Sequence, residues 1–289
     1  MNWQPSPAWK GLTNGTGQAN GGVWRTPDGT VVKRLIPGVR APRHHAYWER
    51  QALVAESGIV ARTPGLHAPE CLGVERDDEG ITLRTAYTPP AEWSPEALAE
   101  ALGRFAASGL VEPSWGARNI LRDRLRTVEQ RGGWAPLIHA GLAPPAVPEL
   151  WHHREAALAT LDALPKVPTH GDAHPANLPG RDGADVIAID WEQFGLGPTG
   201  FDLAYLALAV DVPLQALAAA HGETTATDIR GATYADSGNS GDLLRGATLV
   251  AAYTAISRAA WSLTQPNPGD HLHRLTTLST LIANAPTYI

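Results

Sequence analysis

The chain has 289 residues, 43% of them hydrophobic and 18% charged, a globular balance long enough for two sub-domains with cores of their own. A net charge of -6 with no basic cluster argues against a nucleic-acid partner. No run of about 18 apolar residues is present, Met1-Asn2-Trp3-Gln4-Pro5 lacks a basic region followed by an apolar stretch, and Cys71 is the single cysteine, so the expectation is a cytoplasmic protein with no membrane span, no secretory signal and no internal disulfide.

In chain order, Gly15-Thr16-Gly17-Gln18-Ala19-Asn20-Gly21-Gly22 is a glycine-rich loop whose backbone N–H groups can approach phosphate closely. Val23–Arg25 and Thr30–Leu35 are β-prone runs around the turn Pro27-Asp28-Gly29, which predicts a hairpin. His45–Ser57 carries Ala46, Leu53 and Val54 at helical spacing and stops at Gly58. Glu70–Val74 and Ile81–Ala86 predict a second strand pair around Asp77-Asp78-Glu79-Gly80. Tyr87-Thr88-Pro89-Pro90 breaks both helix and sheet and reads as a linker between lobes. Beyond it, Ser94-Pro95-Glu96-Ala97 opens a helix with an apolar stripe through Leu98, Leu102 and Phe105. Helices are also expected over Leu150–Leu164, Phe201–Val210, Asp242–Trp261 and His271–Asn284, a strand over Val186–Ile189, and a flexible loop from Gly222 to Gly241. The predicted fold is α+β and bilobal: residues 1–88 a small β-rich lobe with one main helix, residues 89–289 a larger, mostly helical lobe.

The chemistry is concentrated in His170-Gly171-Asp172-Ala173-His174-Pro175-Ala176-Asn177 and, thirteen residues after Asn177, Asp190 within Ile189-Asp190-Trp191. Phosphoryl transfer from a nucleotide needs a carboxylate to orient the attacking hydroxyl, plus an amide oxygen and a second carboxylate to hold Mg²⁺ on the phosphates. Asp172, Asn177 and Asp190 stand at the spacing that protein kinases use for these three groups. Asp172 is thus the candidate catalytic base, and Asn177 and Asp190 are the candidate metal ligands. Four-residue spacing of His170 and His174 also invites a zinc reading, but Gly171 and Pro175 oppose the helix that would place both on one face. Lys33, at the end of Thr30-Val31-Val32-Lys33, can reach phosphates as a point charge, and Glu49 on the following helix can brace it, with Glu56 as competitor. Three lysines in an arginine-dominated chain make that position informative. Asp202 in Gly197-Pro198-Thr199-Gly200-Phe201-Asp202-Leu203-Ala204 reads as structural, capping a helix or bonding the catalytic-loop backbone. Cys71 is expected to be a buried small residue, His44-His45 and His152-His153 surface residues, and the ten tryptophans mostly core, with Trp191 shaping the acceptor side.

The variant H-G-D-x-H-x-x-N then I-D-W closely resembles the aminoglycoside phosphotransferase and choline-kinase-like family of protein-kinase-like fold. The resemblance extends through G-P-x-x-x-D-L-A at Gly197–Ala204, the E-x-x-x-L pattern at Glu49, and the strand Lys33. It implies a transferase moving the γ-phosphate of ATP or GTP, with Mg²⁺, to a hydroxyl of a small molecule. It further implies that His170 supports the catalytic-loop backbone and His174 sits near the phosphates. Gly15, Gly17 and Asn20 would contact the nucleotide, and the hinge residues Ala86, Tyr87 and Thr88 would meet the base through backbone groups. The acceptor it suggests first is an aminoglycoside or related, cationic antibiotic, with Glu192, Asp211, Glu223, Asp228 and Asp236 as candidate attracting charges; choline, homoserine or sugar acceptors follow. A protein substrate is disfavoured because no long activation loop separates Asp190 from Gly197. A non-catalytic nucleotide-binding protein is the alternative from a different class, and a monomer or homodimer is the expected assembly.

Overall fold

The computed structural model describes residues 3–13, 20–227, 238–266 and 269–289. Its N-terminal part is a five-stranded antiparallel sheet in the order β1-β2-β3-β6-β5. The strands are β1 (Lys10–Thr13), β2 (Asn20–Arg25), β3 (Val31–Leu35), β5 (Cys71–Asp77) and β6 (Gly80–Thr85), with the two-residue β4 (Leu66–His67) outside it. Both predicted hairpins form; β1, whose Lys-Gly-Leu-Thr carries little strand signal, was not predicted from sequence. Lys33 sits in register between Val23 on β2 and Leu83 on β6, in the centre of the sheet. Central placement leaves its backbone no freedom and aims a charged side chain from a rigid base. Gly15 and Gly17 lie outside the described residues; Asn20 opens β2 opposite Leu35, and nothing is described of its side chain.

One helix, α1 (Arg50–Ser57), packs on this sheet and ends at Gly58 in the left-handed conformation, φ 63°. It is shorter than the expected His45–Ser57. Residues 44–49 form turns instead, because the Arg50 guanidinium collects the carbonyls of Pro42, His44 and His45 and holds the chain off helical geometry. A small apolar cluster of Leu35, Ala52 and Ile81 with Trp48 and Val74 seals helix to sheet. Cys71 is half-exposed, not buried: β5 lies at the sheet edge.

The C-terminal part is helical: α2 (Pro95–Ala106), α3 (Ile120–Gln130), α4 (Ala135–His139), α5 (Val147–His152), α6 (Arg154–Ala163), α7 (Phe201–Ala207), α8 (Leu214–Thr227), α9 (Gly238–Ser262), α10 (His271–Thr277) and α11 (Ser279–Asn284). Ser94 caps α2 by accepting from the Ala97 N–H at 3.1 Å, and the predicted stripe of Leu98, Leu102 and Phe105 is buried. The single helices expected over Leu150–Leu164 and His271–Asn284 are each two, broken where His153 (φ -92°, ψ 14°) and Leu278 (φ -93°, ψ 10°) leave helical geometry. Helices α8 and α9 extend into the expected Gly222–Gly241 loop from both ends. Two short pairings position the loops of interest: β7 (Lys166–Thr169) with β10 (Gly195–Pro198), and a three-stranded β4-β9-β8 sheet of β8 (Gly180–Asp182) and β9 (Asp185–Ile187). Since β4 lies between β3 and β5 in the chain, its parallel pairing with β9 ties the N-terminal part to the segment ahead of Asp190. His45 is buried beside Asp123 of α3, contrary to the surface expectation, whereas His152 and His153 are exposed. No described helix is long and apolar enough to cross a membrane.

Candidate active site

Strand β7 delivers the chain to His170, after which Gly171 turns it with φ +84°. Only glycine fits there: a Cβ would stand 2.5 Å from the Gln193 carbonyl oxygen, besides the cost of the left-handed conformation. The loop is clamped from beneath by Asp202 of α7, whose two carboxylate oxygens accept from the His170 N–H at 2.7 Å and the Gly171 N–H at 2.9 Å. Burial pushes the Asp202 carboxyl pKa up, while nearby His170 and the two N–H bonds hold it down. Its expected structural role is the one observed.

His170 is fully buried. Its Nε2 hydrogen-bonds the Ile189 carbonyl at 2.8 Å, and its Nδ1 faces the Asp172 N–H at 3.3 Å. With both nitrogens used, the ring has no lone pair left for zinc. The imidazole links the loop bearing Asp172 to the segment bearing Asp190, and Trp191 packs against it with ring centroids 4.7 Å apart. Trp191 is buried, donates to the Ala188 carbonyl at 2.7 Å and stacks edge-on to Phe105, so it supports the loop from the core and does not shape an acceptor wall.

Asp172 is held in place by Asn177, whose amide N–H₂ donates to its carbonyl at 3.0 Å and to Oδ2 at 3.2 Å. With the nitrogen so engaged, the Asn177 amide oxygen remains as an acceptor. His174 Nδ1 accepts from the Ala176 N–H at 3.2 Å and starts the short turn Pro175–Asn177. Burial lowers the His174 pKa, which keeps the ring neutral near pH 7. The Ile189 N–H donates to the Asn177 carbonyl at 2.9 Å, and Asp190 then adopts φ 67°, ψ 49°. A non-glycine residue in that conformation costs energy and is found where a side chain must be aimed.

Across the cleft Lys33 forms an ion pair with Asp190. The brace expected from Glu49 is not there. Glu49 precedes α1, near Tyr47 and Arg76, because the inward position of the helix's first turn belongs to Arg50, while Glu56 pairs with Arg76. Arg50 is 0% exposed and donates to five carbonyls, among them Glu192 at 2.6 Å and Trp115 at 3.0 Å. Burial without a carboxylate contact lowers its pKa to about 10. It joins α1 to the turn after Asp190, a role that an arginine in an amphipathic segment does not announce in sequence.

Between the two parts lies a cavity of about 230 Å³ lined by Val23, Val31, Lys33, Leu83, Ala86, Tyr87, Thr88, Ile189 and Asp190. Its apolar walls and charged end suit a flat base and its phosphates. The Ala86 N–H is used by the Glu70 carbonyl at 2.9 Å; among the described residues no hydrogen bond engages the N–H of Tyr87 or Thr88.

Three carboxylates, Asp172, Asp190 and Glu192, gather at this end. Burial, and then the charge of Asp190, push the Glu192 carboxyl pKa up. The hard oxygen donors of Asn177 and Asp190 fit a divalent cation of the Mg²⁺ type. Two arginines from distant helices, which no motif marks, approach Asp172: Arg258 of α9, 3.6 Å from Oδ1, and Arg124 of α3, which also feels the charge of Glu192 and donates to Gln193 Oε1.

The model of the Phosphotransferase enzyme family matches residues 12–233. No curated protein sequence matches the chain. Among solved structures, aminoglycoside 2'-phosphotransferase-IIIa in its GDP complex is similar with a TM-score of 0.60 at 13% identity, covering 96% of this chain and 92% of that one. An ethanolamine kinase of Plasmodium vivax gives 0.56 at 13% identity, covering 97% and 83%. A choline/ethanolamine kinase family protein of Mesorhizobium loti gives 0.53 at 18% identity, covering 97% and 87%. With the family model spanning most of the chain, and a protein-kinase-like fold that carries its motif residues to one cleft, this protein belongs to the phosphotransferase enzyme family.

Proposed function

We propose that the protein transfers the γ-phosphate of ATP or GTP, with Mg²⁺, to a hydroxyl of a small molecule. The observation that carries this reading is the convergence on one cleft of Lys33 from the sheet and Asp172, Asn177 and Asp190 from the helical part, closed by the Lys33–Asp190 ion pair. The acceptor hydroxyl oxygen attacks the γ-phosphorus while the bond to the bridging oxygen breaks and the nucleoside diphosphate leaves with the electron pair. The proton of the hydroxyl passes to Asp172. Because such transition states are loose, alignment by Asp172 contributes more than its basicity. Asn177 and Asp190 would hold the metal, which when bound offsets charge on the phosphates. Lys33 then turns from Asp190 to the phosphates, a short swing for a flexible ammonium. His170 fixes the loop and His174 stands toward the phosphates. The N–H groups of Tyr87 and Thr88 serve the base, and Gly15, Gly17 and Asn20 contact the nucleotide. The lobes divide after Thr88. The working compartment on this reading is the cytoplasm, with no nucleic acid or membrane involved.

The neighbours' names span aminoglycoside and ethanolamine acceptors. Of the five acidic residues expected to attract a polycationic antibiotic, only Glu192 and Asp211 have described side chains. Glu192 lies within electrostatic reach of Asp190, Lys33, Asp172 and Arg124, and Asp211 is exposed; Asp228, Asp236 and the side chain of Glu223 lie outside the described residues. A screen of hydroxyl compounds for nucleotide-dependent phosphorylation, read by mass spectrometry, tests the activity. Asp172→Ala should abolish product while nucleotide affinity stays within about twofold. Undiminished turnover in that variant would refute the mechanism.

A further inference from the structure

The acceptor side of Asp172 is basic. Arg258 approaches Asp172 Oδ1 at 3.6 Å, close enough to pair charges but too long for a hydrogen bond. Among the described residues the Arg258 guanidinium donates no hydrogen bond at all, although only 32% of its side chain is exposed. Its fork keeps contact with solvent and is open to an acceptor that a ligand brings. The group is nevertheless built in. Its Cζ lies 5.1 Å from the ring centroid of Tyr205, a fully buried residue, and Arg124 lies over the same ring at 4.9 Å. One aromatic ring thus carries two guanidinium groups, whose mutual repulsion the quadrupole offsets in part. Among the described residues the Tyr205 hydroxyl has no hydrogen-bond partner, and its ring also stacks on Phe201 with centroids 5.4 Å apart.

With Asp190 paired to Lys33, the guanidinium groups of Arg258, Arg124 and Arg274 stand against two carboxylates, Asp172 and Glu192. Arg274 of α10 acts on the His174 ring together with Arg258, and His271 lies within electrostatic reach of Arg258. Among the described residues neither Arg124 nor Arg274 makes a salt-bridge contact, although Arg124 feels the charges of Asp172 and Glu192. Arg124 bonds a neutral amide, and Arg274 bonds the carbonyls of Ala209 and Val210. Asp270, beside His271, is exposed. An aminoglycoside or an amino alcohol brings cations to this wall and would be repelled; an oxyanion would satisfy the open fork of Arg258 bidentately.

We propose that the acceptor is anionic, a hydroxylated small molecule whose carboxylate or phosphate group is bound by Arg258 with support from Arg124 and Arg274, so that its hydroxyl lies against Asp172. This rests on the phosphotransferase reading above and names its substrate class. Arg258 then trades its loose pairing with Asp172 for hydrogen bonds to the substrate, which frees the carboxylate to orient the hydroxyl.

The test separates donor from acceptor. Nucleotide affinity of the wild-type protein is measured first with Mg²⁺ and a non-hydrolysable ATP analogue; failure there would sink the phosphotransferase reading and leave the anion site to be tested on the free protein. With the donor site filled, inorganic sulfate and the matched series D-glucuronate, glucose 6-phosphate, D-glucose and D-glucosamine are titrated by calorimetry. Sulfate should bind, and glucuronate or glucose 6-phosphate should outcompete the neutral and cationic members, which also tells carboxylate from phosphate. Arg258→Gln should weaken anion binding by about tenfold or more, the loss of a charge-assisted pair, and Arg258→Lys should recover part of it, with nucleotide affinity unchanged in both. Tighter binding of glucosamine, indifference to charge across the series, or anion affinity that survives Arg258→Gln would each overturn the proposal. So would an Arg258→Gln variant that lowers kcat equally for charged and neutral acceptors with KM unmoved, since that pattern belongs to a group acting on the transferred phosphoryl.

Discussion

Replacing Asp202 by Ala tests how the catalytic loop is held. The carboxylate accepts two backbone N–H bonds, from His170 at 2.7 Å and Gly171 at 2.9 Å, in a fully packed environment. Hydrogen bonds to a charged group contribute about 1.5–3 kcal/mol each, and orphaning buried donors costs about 1–3 kcal/mol apiece. Part of the gross loss is returned because the buried carboxylate no longer has to be desolvated, as its raised pKa reflects. The net expectation is ~3–4 kcal/mol of destabilisation, or a Tm lower by roughly 8–12 °C for a chain of this size. Asp202→Asn should fall between: its amide oxygen satisfies one N–H while its own NH₂ opposes the other. Thermal and urea unfolding followed by circular dichroism measure the first effect. The second is catalytic. Since His170 and Gly171 precede Asp172 directly, kcat should drop at least 100-fold in Asp202→Ala at a temperature where the variant is still folded, with nucleotide affinity changed far less. An Asp202→Ala protein melting within about 2 °C of wild type, or one folded and fully active, would refute the clamp.

Three further outcomes follow from the same geometry. Gly171→Ala should cost ~2–4 kcal/mol, from the left-handed conformation and a Cβ 2.5 Å from the Gln193 carbonyl, and urea titration reads it; a cost below about 1 kcal/mol would mean the loop relaxes freely. Lys33→Met should leave stability within about 1 kcal/mol, since its partner Asp190 is 40% exposed, yet weaken nucleotide binding at least tenfold by fluorescence titration; unchanged affinity would remove Lys33 from the phosphate site. Burial on α8 pushes the pKa of His221 down to about 4 from an ordinary 6.5. The unfolded chain therefore binds a proton that the folded one refuses between those values, so this residue's contribution holds above pH 6.5 and falls as pH drops toward 4, by ~3 kcal/mol in all. His221→Gln should flatten that part of the urea-stability profile over pH 4–6.5; a profile parallel to wild type would show that His221 is not the group responsible.

The catalytic loop was legible in sequence because its three functional groups sit within 19 residues, from Asp172 to Asp190, where local spacing nearly dictates proximity. The two hairpins were legible because turn residues separate β-prone runs. The clamp by Asp202 could be named as structural, although which two amides it would bind was set by the packing of α7 beneath β7. Glu49 as brace was a pattern match one residue from the truth: helix α1 starts at Arg50, so the inward direction that Glu49 needed was filled by an arginine holding five carbonyls. Helix breaks at His153 and Leu278 were missed because neither glycine nor proline marks them, and His45 was misplaced because nothing local foretells its contact with Asp123, 78 residues away.

The proposed donor chemistry rests on sequence alone. The hydroxyl-orienting carboxylate, the metal-type oxygens and the strand lysine are residue identities at short or familiar separations, and backbone geometry carries them into place with few alternatives. The proposed acceptor side rests on tertiary structure. Arg124, Arg258 and Arg274 come from three helices separated by up to 150 residues of chain, and only the packing of α3, α9 and α10 brings Arg124 and Arg258 to Asp172 and Arg274 within electrostatic reach of His174. A Coulomb field depends on distance in space, and no periodicity or spacing in the sequence encodes it.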